Sequence, residues 1–276
     1  MIADLFRQFK HGRRMRRAMA EIEARPVSAG RAHGLPGPLI VSLTSYPRRF
    51  PTLHLTLRAI LTQTLRPDAV ILWLAEGDDD VLPDAVRDLT AVGLEIATCP
   101  DWRSFKKLVP TLQSHPDAYV ITADDDVYYP PDWIEGLVHA AFQGMPVACY
   151  RAHRVALDSK GHPLPYGNWQ RNIDRPERGP LVFITGVSGV IYAPHTLHPD
   201  VCRDDLFTRL CPTADDVWIY WMYRNAGVNA AKIGQKQRIL EWTETQATSL
   251  RSINLNGQGN DAAVAALMGR YGWPEA

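Results

Sequence analysis

Apolar residues at Leu5, Phe6, Phe9, Met15, Ala18, Met19 and Ile22 recur at spacings near three and four, with arginines and lysines between them. This spacing predicts an amphipathic helix over residues 2–24. Pro26, Gly30, Gly34, Pro36, Gly37 and Pro38 then break any regular pattern, which predicts a linker. From Leu39 onward, short apolar runs alternate with segments of helical period. Strands are expected at 39–43, 69–74, 94–97 and 118–122, and helices at 53–64, 83–92 and 105–115, the last with a proline inside it. A helix over 133–142 follows. Strand-like runs at 147–150, 181–185 and 190–192 then surround a polar, Gly/Pro-rich stretch at 158–179, before helices over 215–225 and 262–271. Alternation of this kind predicts an α/β fold with a mostly parallel central sheet and helices on both faces. Ligands of such sheets bind beyond the carboxyl ends of the strands, so residues just after strands are the ones to inspect.

The chain has 276 residues, 46% hydrophobic and 22% charged, a foldable composition of one large domain or two small ones. Thirty basic side chains balance thirty acidic ones, which argues against a general nucleic-acid binder. The balance is uneven, however. Residues 1–31 hold eight Arg/Lys against three acids, an excess of five, so the remaining 245 residues are negative by the same amount. A basic helix on a linker suits an anionic membrane surface; packing on its own domain or on a second subunit suits it equally. Cys99, Cys149, Cys202 and Cys211 are widely spaced and match no zinc pattern, as expected of reduced, buried thiols. No apolar run approaches the ~18 residues that span a bilayer, and the start has no signal-peptide pattern. A cytoplasmic location is expected, with peripheral attachment to the inner face of the membrane as an extension of it.

The strongest chemical signal is the run Asp124-Asp125-Asp126, directly after the apolar strand at 118–122. Three adjacent carboxylates there repel one another, and a hard divalent ion such as Mg²⁺ or Mn²⁺, shared with a diphosphate, relieves the repulsion. Asp78-Asp79-Asp80 follows a glycine in a polar segment and is read as a surface turn. Asp215-Asp216 opens a predicted helix, where a carboxylate serves either the helix dipole or as a general base. Lys106 and Lys107 lie between the third and fourth strands; they either face solvent or hold diphosphate oxygens. Thr44, Ser45, Tyr46, Arg48 and Arg49 follow the first strand, where a nucleotide would lie.

Taken in order, Ser42-Leu-Thr-Ser-Tyr-Pro-Arg-Arg, the helix ending Gln63-Thr64, the strand Val70-Ile-Leu, the 124–126 triplet and the late Asp215-Asp216 pair resemble nucleotide-sugar-dependent glycosyltransferases of the GT-A fold. They look most like glycosyltransferase family 2 and related bacterial polysaccharide enzymes. The resemblance spans roughly residues 38–227. It implies a GT-A (Rossmann-like) catalytic domain over 38–276, with a nucleotide-binding part (38–145) and an acceptor-binding part with a smaller β region and a C-terminal lid (146–276). Residues 1–37 are the helix and linker. The implied activity is sugar transfer from a nucleotide-diphosphate donor, UDP-linked ahead of other bases, to a glycan or lipid-linked acceptor in bacterial surface polysaccharide synthesis.

Carried over by residue, the resemblance places Asp124 and Asp125 near the donor, Asp126 with Asp124 on the metal, and Thr44, Ser45, Tyr46 and Arg48 around the nucleotide. Lys106 and Lys107 flank the phosphates, and Asp216, ahead of Asp215, is the base of an inverting single displacement. Gly186, Ser188, Gly189, Trp169 and Trp218 fall where acceptor contacts are expected, although turn glycines and helix tryptophans also serve as plain scaffold. The polar stretch 254–261 is expected to act as a lid. Leu72-Trp73-Leu74-Ala75-Glu76 stands where family 2 enzymes commonly carry a base-contacting aspartate, and no histidine follows His198. A nucleotidyltransferase or pyrophosphatase, or a non-catalytic carbohydrate- or membrane-binding module, are the rival readings. Neither a Gly-rich basic loop after the first strand nor a P-loop is present to support the former.

Overall fold

The apolar runs at 39–43, 69–74 and 118–122 form parallel strands buried on both faces, while the edge strand at 94–99 is only partly covered. The computed structural model describes residues 2–26, 30–236, 238–242 and 259–274. In chain order these form α1 (Ile2–Ala24), β1 (Arg31–Ala32), β2 (Leu39–Thr44), α2 (Phe50–Leu61), β3 (Leu65–Arg66), β4 (Ala69–Ala75), α3 (Asp84–Arg87), β5 (Leu94–Cys99), α4 (Val109–Ser114), β6 (Tyr119–Ala123) and α5 (Trp133–Phe142). Then come β7 (Val147–Cys149), β8 (Ala152–Arg154), β9 (Glu177–Gly179), β10 (Val182–Ile184), β11 (Val190–Tyr192), α6 (Asp204–Leu210), α7 (Asp215–Asn225), β12 (Ala230–Lys232) and α8 (Gly259–Tyr271).

Eight strands make one mixed, mostly parallel sheet in the order β5-β4-β2-β6-β11-β7-β12-β9. β5, β4, β2 and β6 run parallel, β11 lies antiparallel between β6 and β7, and β12 is parallel to β7. Alternate residues feed two separate cores. Val41, Leu72, Ile121 and Ile191 belong to one, and Ile40, Ile71, Val120 and Val190 to the other, the period-two consequence of a sheet covered on both faces. β8 and β10 pair in a second, small antiparallel sheet.

Register sets the site. Leu43 of β2 lies opposite Ala123 of β6, so the two strands end level, and the residues after them, Ser45 and Asp125, meet. Val190 of β11 lies opposite Thr122, which brings the turn before β11 to the same end of the sheet.

Several expected elements differ. The linker contains Arg31–Ala32, which pairs in parallel with Leu65–Arg66. The helix expected over 83–92 divides into α3 and a 3₁₀ turn, and that over 105–115 into a 3₁₀ turn, Arg103–Lys107, and α4. Pro110 sits in the first turn of α4, the place in a helix that tolerates a residue with no N–H. The polar stretch 158–179 ends in the sheet-edge strand β9, whose Glu-Arg-Gly sequence gives no apolar signal. Of the expected lid, residues 254–258 lie outside the described residues, and 259–261 begin α8.

α1 packs on the domain through its C-terminal half. Ala18 and Ile22 are buried in the core with α2 residues. Arg25, counted above as leader charge, is buried: it donates to the carbonyls of Ala59 (3.2 Å) and Tyr129 (3.1 Å) and to the Tyr128 hydroxyl (3.0 Å). The inward face of this half of the helix is thus occupied by protein. Among the described residues, no helix is long and apolar enough to cross a membrane. Ile22→Ala is expected to lower the unfolding free energy by about 2–5 kcal/mol, the range for emptying a buried aliphatic site; urea denaturation that shows no loss would mean that α1 is dispensable to the fold.

Candidate active site

A cleft of about 650 Å³ opens at the carboxyl ends of β2, β5 and β6, large enough for a nucleotide-sized ligand. Its floor is acidic. Ser45 Oγ donates to Asp125 Oδ2 (2.6 Å) and Arg49 Nη1 to Asp125 Oδ1 (2.5 Å), so both Asp125 oxygens are taken. Arg49 Nη1 also lies 3.0 Å from Asp126 Oδ2. Burial works against the Arg49 charge, but Asp125 and Asp126 outweigh it and hold the guanidinium above its ordinary pKa. The backbone N–H of Asp124 donates to the buried Tyr129 hydroxyl (2.8 Å), which fixes the triplet beyond its strand.

On the facing wall, Asp215 and Asp216 start α7. Lys107 Nζ lies 3.2 Å from Asp124 Oδ1 and 3.2 Å from Asp215 Oδ2, bridging the two acidic sets. Burial disfavours its charge, yet Asp124, Asp215 and Asp216 raise its pKa well above that of a free lysine. Asp216 Oδ1 accepts the backbone N–H of Gly186 at 2.9 Å. A Cβ on Gly186 would stand 2.6 Å from Lys107 Nζ and 3.2 Å from Asp216 Oδ1, so a side chain here would displace the Lys107 amine from its place. Burial and the neighbouring Asp215 push the Asp216 carboxyl up to about 7 against the pull of Lys107. Asp126 is likewise pushed up to about 7, by burial and by Asp125, Asp124 and Glu241, with Arg49 opposing.

Thr44, Ser45, Tyr46, Arg48, Lys106, Lys107, Asp124, Asp125, Asp126, Gly186, Asp215 and Asp216 all line this one cleft. Four expected acceptor residues do not. Trp169 is 3% exposed and packs among Tyr166 and Phe183, and Trp218 is fully buried with its indole N–H on the Val201 carbonyl. Both are core. Ser188 has φ 79° and accepts the Trp133 indole N–H (2.8 Å), while a Cβ on Gly189 would stand 2.4 Å from the Trp133 ring; these two form the turn into β11. Lys106 spends its amine on Asp101 at 2.6 Å. A metal is not the sole relief of the repulsion within the triplet, because Arg49 and Lys107 supply positive charge from within the chain.

Sequence reasoning missed Arg151, His153, Arg171 and Glu241 as cleft residues. It set Arg48 and Arg49 alike beside a nucleotide, and nothing local shows that Arg49 is the one drawn onto Asp125 and Asp126. Glu241 arrives through a pairing of 240–242 along 126–128: Tyr128 N–H donates to the Leu240 carbonyl (2.9 Å) and Trp242 N–H to that of Asp126 (3.0 Å).

Among the described residues, no group of three His, Cys, Asp or Glu side chains is placed to hold a metal ion alone. The donors present are nonetheless hard oxygens, and Asp125, Asp124 and Glu241 press negative charge on Asp126 against the one guanidinium of Arg49. Two carboxylates completed by phosphate oxygens and water is the usual arrangement for Mg²⁺ or Mn²⁺, and Asp126 with Asp124 fits it.

No protein-family model and no curated protein matches the chain. Among solved structures it is similar to the mannosyltransferase PcManGT from Pyrobaculum calidifontis, in complex with GDP-Man and Mn²⁺, at 16% identity and TM-score 0.35, over 54% of this chain and 45% of that one. It is similar to CMP:2-keto-3-deoxy-manno-octonic acid synthetase complexed with CTP, at 15% identity and TM-score 0.42, over 84% and 99%. A third likeness is to glucosyl-3-phosphoglycerate synthase from Mycobacterium tuberculosis with Mn²⁺, UDP and glucosyl-3-phosphoglycerate, at 12% identity and TM-score 0.45, over 87% and 82%. The chain thus spans less than half the length of the first of these. The neighbours are GT-A glycosyltransferases and a nucleotidyltransferase; what this cleft does is decided by its own residues.

The raised carboxyls have a consequence for stability. Asp126 and Asp216 bind protons more readily folded than unfolded, so their contribution favours the folded state most below the ordinary value of 3.8 and is lost as pH rises through about 7. Calorimetry of the metal-free protein between pH 5.5 and 8.5 is expected to show a smaller decline of Tm in Asp126→Asn and Asp216→Asn than in wild type. Equal slopes in all three would contradict the assignment.

Proposed function

We propose that the protein is a metal-dependent glycosyltransferase that moves a sugar from a nucleoside-diphosphate donor to an acceptor hydroxyl by a single inverting displacement. The observation that carries this reading is the Asp216 carboxyl: set on the opposite wall from the strand-end acids, oriented by the Gly186 N–H, and tuned to about 7. A base with that pKa is matched to proton abstraction at neutral pH.

In this reading Thr44, Ser45, Tyr46 and Arg48 surround the nucleotide, and the Arg49–Asp125–Ser45 cluster keeps the ends of β2 and β6 rigid beneath it. Asp126 and Asp124 would hold Mg²⁺ or Mn²⁺, which would supply Lewis-acid neutralisation of the diphosphate. Asp216 takes the proton of the acceptor hydroxyl. The freed oxygen attacks the anomeric carbon as the bond to the diphosphate breaks. Lys107, cationic between Asp124 and Asp215, places positive charge between base and leaving group and adds to the stabilisation of charge developing there. Holding donor and acceptor in one enclosed space supplies much of the remaining rate.

The test is sugar transfer followed as release of nucleoside diphosphate, together with Mn²⁺-dependent donor binding, with UDP-sugars first in the donor panel. Asp126→Ala is expected to lose both. Asp216→Asn is expected to keep donor binding and lose transfer by at least ~100-fold, the scale of general-base catalysis. In wild type, kcat/KM is expected to fall as pH drops through about 7, where Asp216 gains its proton. Release of pyrophosphate instead of nucleoside diphosphate would identify a nucleotidyltransferase, and undiminished turnover by either variant would remove that residue from its role.

A further inference from the structure

Beyond the two acidic sets, the cleft has a third wall, built from the segment after β7, from β8 and from the 3₁₀ turn Tyr166–Asn168. It is basic. Arg151 extends along it and donates from Nη1 to Thr185 Oγ1 at 2.8 Å. Arg171 holds its guanidinium 5.8 Å from the centroid of the Tyr166 ring, and no described acid forms an ion pair with it.

His153 lies between these two arginines. It is 3% exposed yet lines the cleft. Its Nδ1 accepts the backbone N–H of Asn172 at 2.9 Å. Burial, with Arg151 and Arg171 adding to it and a backbone hydrogen bond at Ala152 opposing, lowers the ring to about 4, so the imidazole is neutral with its proton on Nε2. Where the ring lines the cleft it is flanked by the guanidinium groups of Arg151 and Arg171, whose five N–H donors each suit carboxylate and phosphate. The wall also adjoins the base: Tyr166, whose ring is 5.8 Å from that of His153, feels the charge of Asp216 as well as those of Arg151 and Arg171. Of the cations nearer the strand ends, Arg49 is engaged by Asp125 and Asp126, Lys107 by Asp124 and Asp215, and Lys106 by Asp101, while Arg48 also lines the cleft.

We propose that this wall is an oxyanion subsite and that the acceptor is itself an anion, a phosphate- or carboxylate-bearing molecule held by Arg171, Arg151 and the His153 Nε2–H with a neighbouring hydroxyl presented to Asp216. The word acceptor rests on the transferase reading; the oxyanion subsite does not.

The test uses the full chain with neither nucleotide nor metal, labelled with ¹⁵N-histidine, and titrates methyl phosphate, acetate and neutral glycerol. The Nε2 resonance of His153, assigned by its disappearance in His153→Phe, is expected to shift with one or both anions and to stay fixed with glycerol. The stronger anion separates a phosphate from a carboxylate subsite. Arg171→Ala, an exposed position, is expected to raise the dissociation constant about tenfold, the scale of one charge-assisted hydrogen bond. A His153 signal indifferent to both anions, or an affinity unchanged by Arg171→Ala, overturns the proposal. Such a result leaves donor binding and the Asp216 test untouched, while loss of the transferase reading leaves the anion titration standing.

Discussion

Lys107 sits between carboxylates that the chain supplies from far apart, 3.2 Å from Asp124 beyond β6 and 3.2 Å from Asp215 at the start of α7. Without that ammonium, two acidic sets would face each other across an enclosed cleft, and their repulsion in a low-dielectric space would open it. With it, the base and the strand-end acids share one cleft. The Gly186 backbone closes the arrangement from a third direction, approaching Asp216 at a point where a side chain would displace the Lys107 amine.

The sheet delivers these groups with little freedom. Because β2 and β6 end level, Ser45 and Asp125 bond directly, and Arg49 then ties the second and third acids to the first turn after β2. Asp125 is thereby a structural member of the triplet, and burial pushes the carboxyls of Asp125, Asp126 and Asp216 all upward. A site so built holds negative charge at a cost, and relief of that cost is available to a cationic ligand. Stability given up within the cleft becomes affinity for what enters it.

Much of this was legible from local pattern. The helix at Trp133–Phe142, the strand at Val190–Tyr192 and the helix at Asp215–Asn225 have the bounds that their periodicity and flanking residues predict. The acidic triplet announced itself by following an apolar strand. Other features depend on pairings between distant segments and leave no local trace. Arg48 and Arg49 read alike until the fold turns one of them onto Asp125. Trp169 and Trp218 carry sugar-stacking chemistry in principle, but aromatic neighbours brought from elsewhere in the chain enclose both. His153 gives no motif at all: its meaning comes from the Asn172 N–H on one ring nitrogen and two arginines beside it. The leader read from sequence as a helix for a membrane surface or for packing on its own domain, and the fold packs its C-terminal half on the domain, with Arg25 held by backbone carbonyls.

The central claim, that acids on two walls linked by Lys107 form a site for a metal-bound nucleoside-diphosphate sugar, is tested most directly by a thermal-shift screen of nucleotide sugars with and without Mn²⁺. One donor is expected to raise Tm strongly only when Mn²⁺ is present, because a ligand bound at far above its dissociation constant stabilises the folded state by several kcal/mol, and Lys107→Met is expected to abolish that rise. A screen in which no nucleotide sugar responds to Mn²⁺, or in which the Lys107→Met protein responds as wild type does, would contradict it.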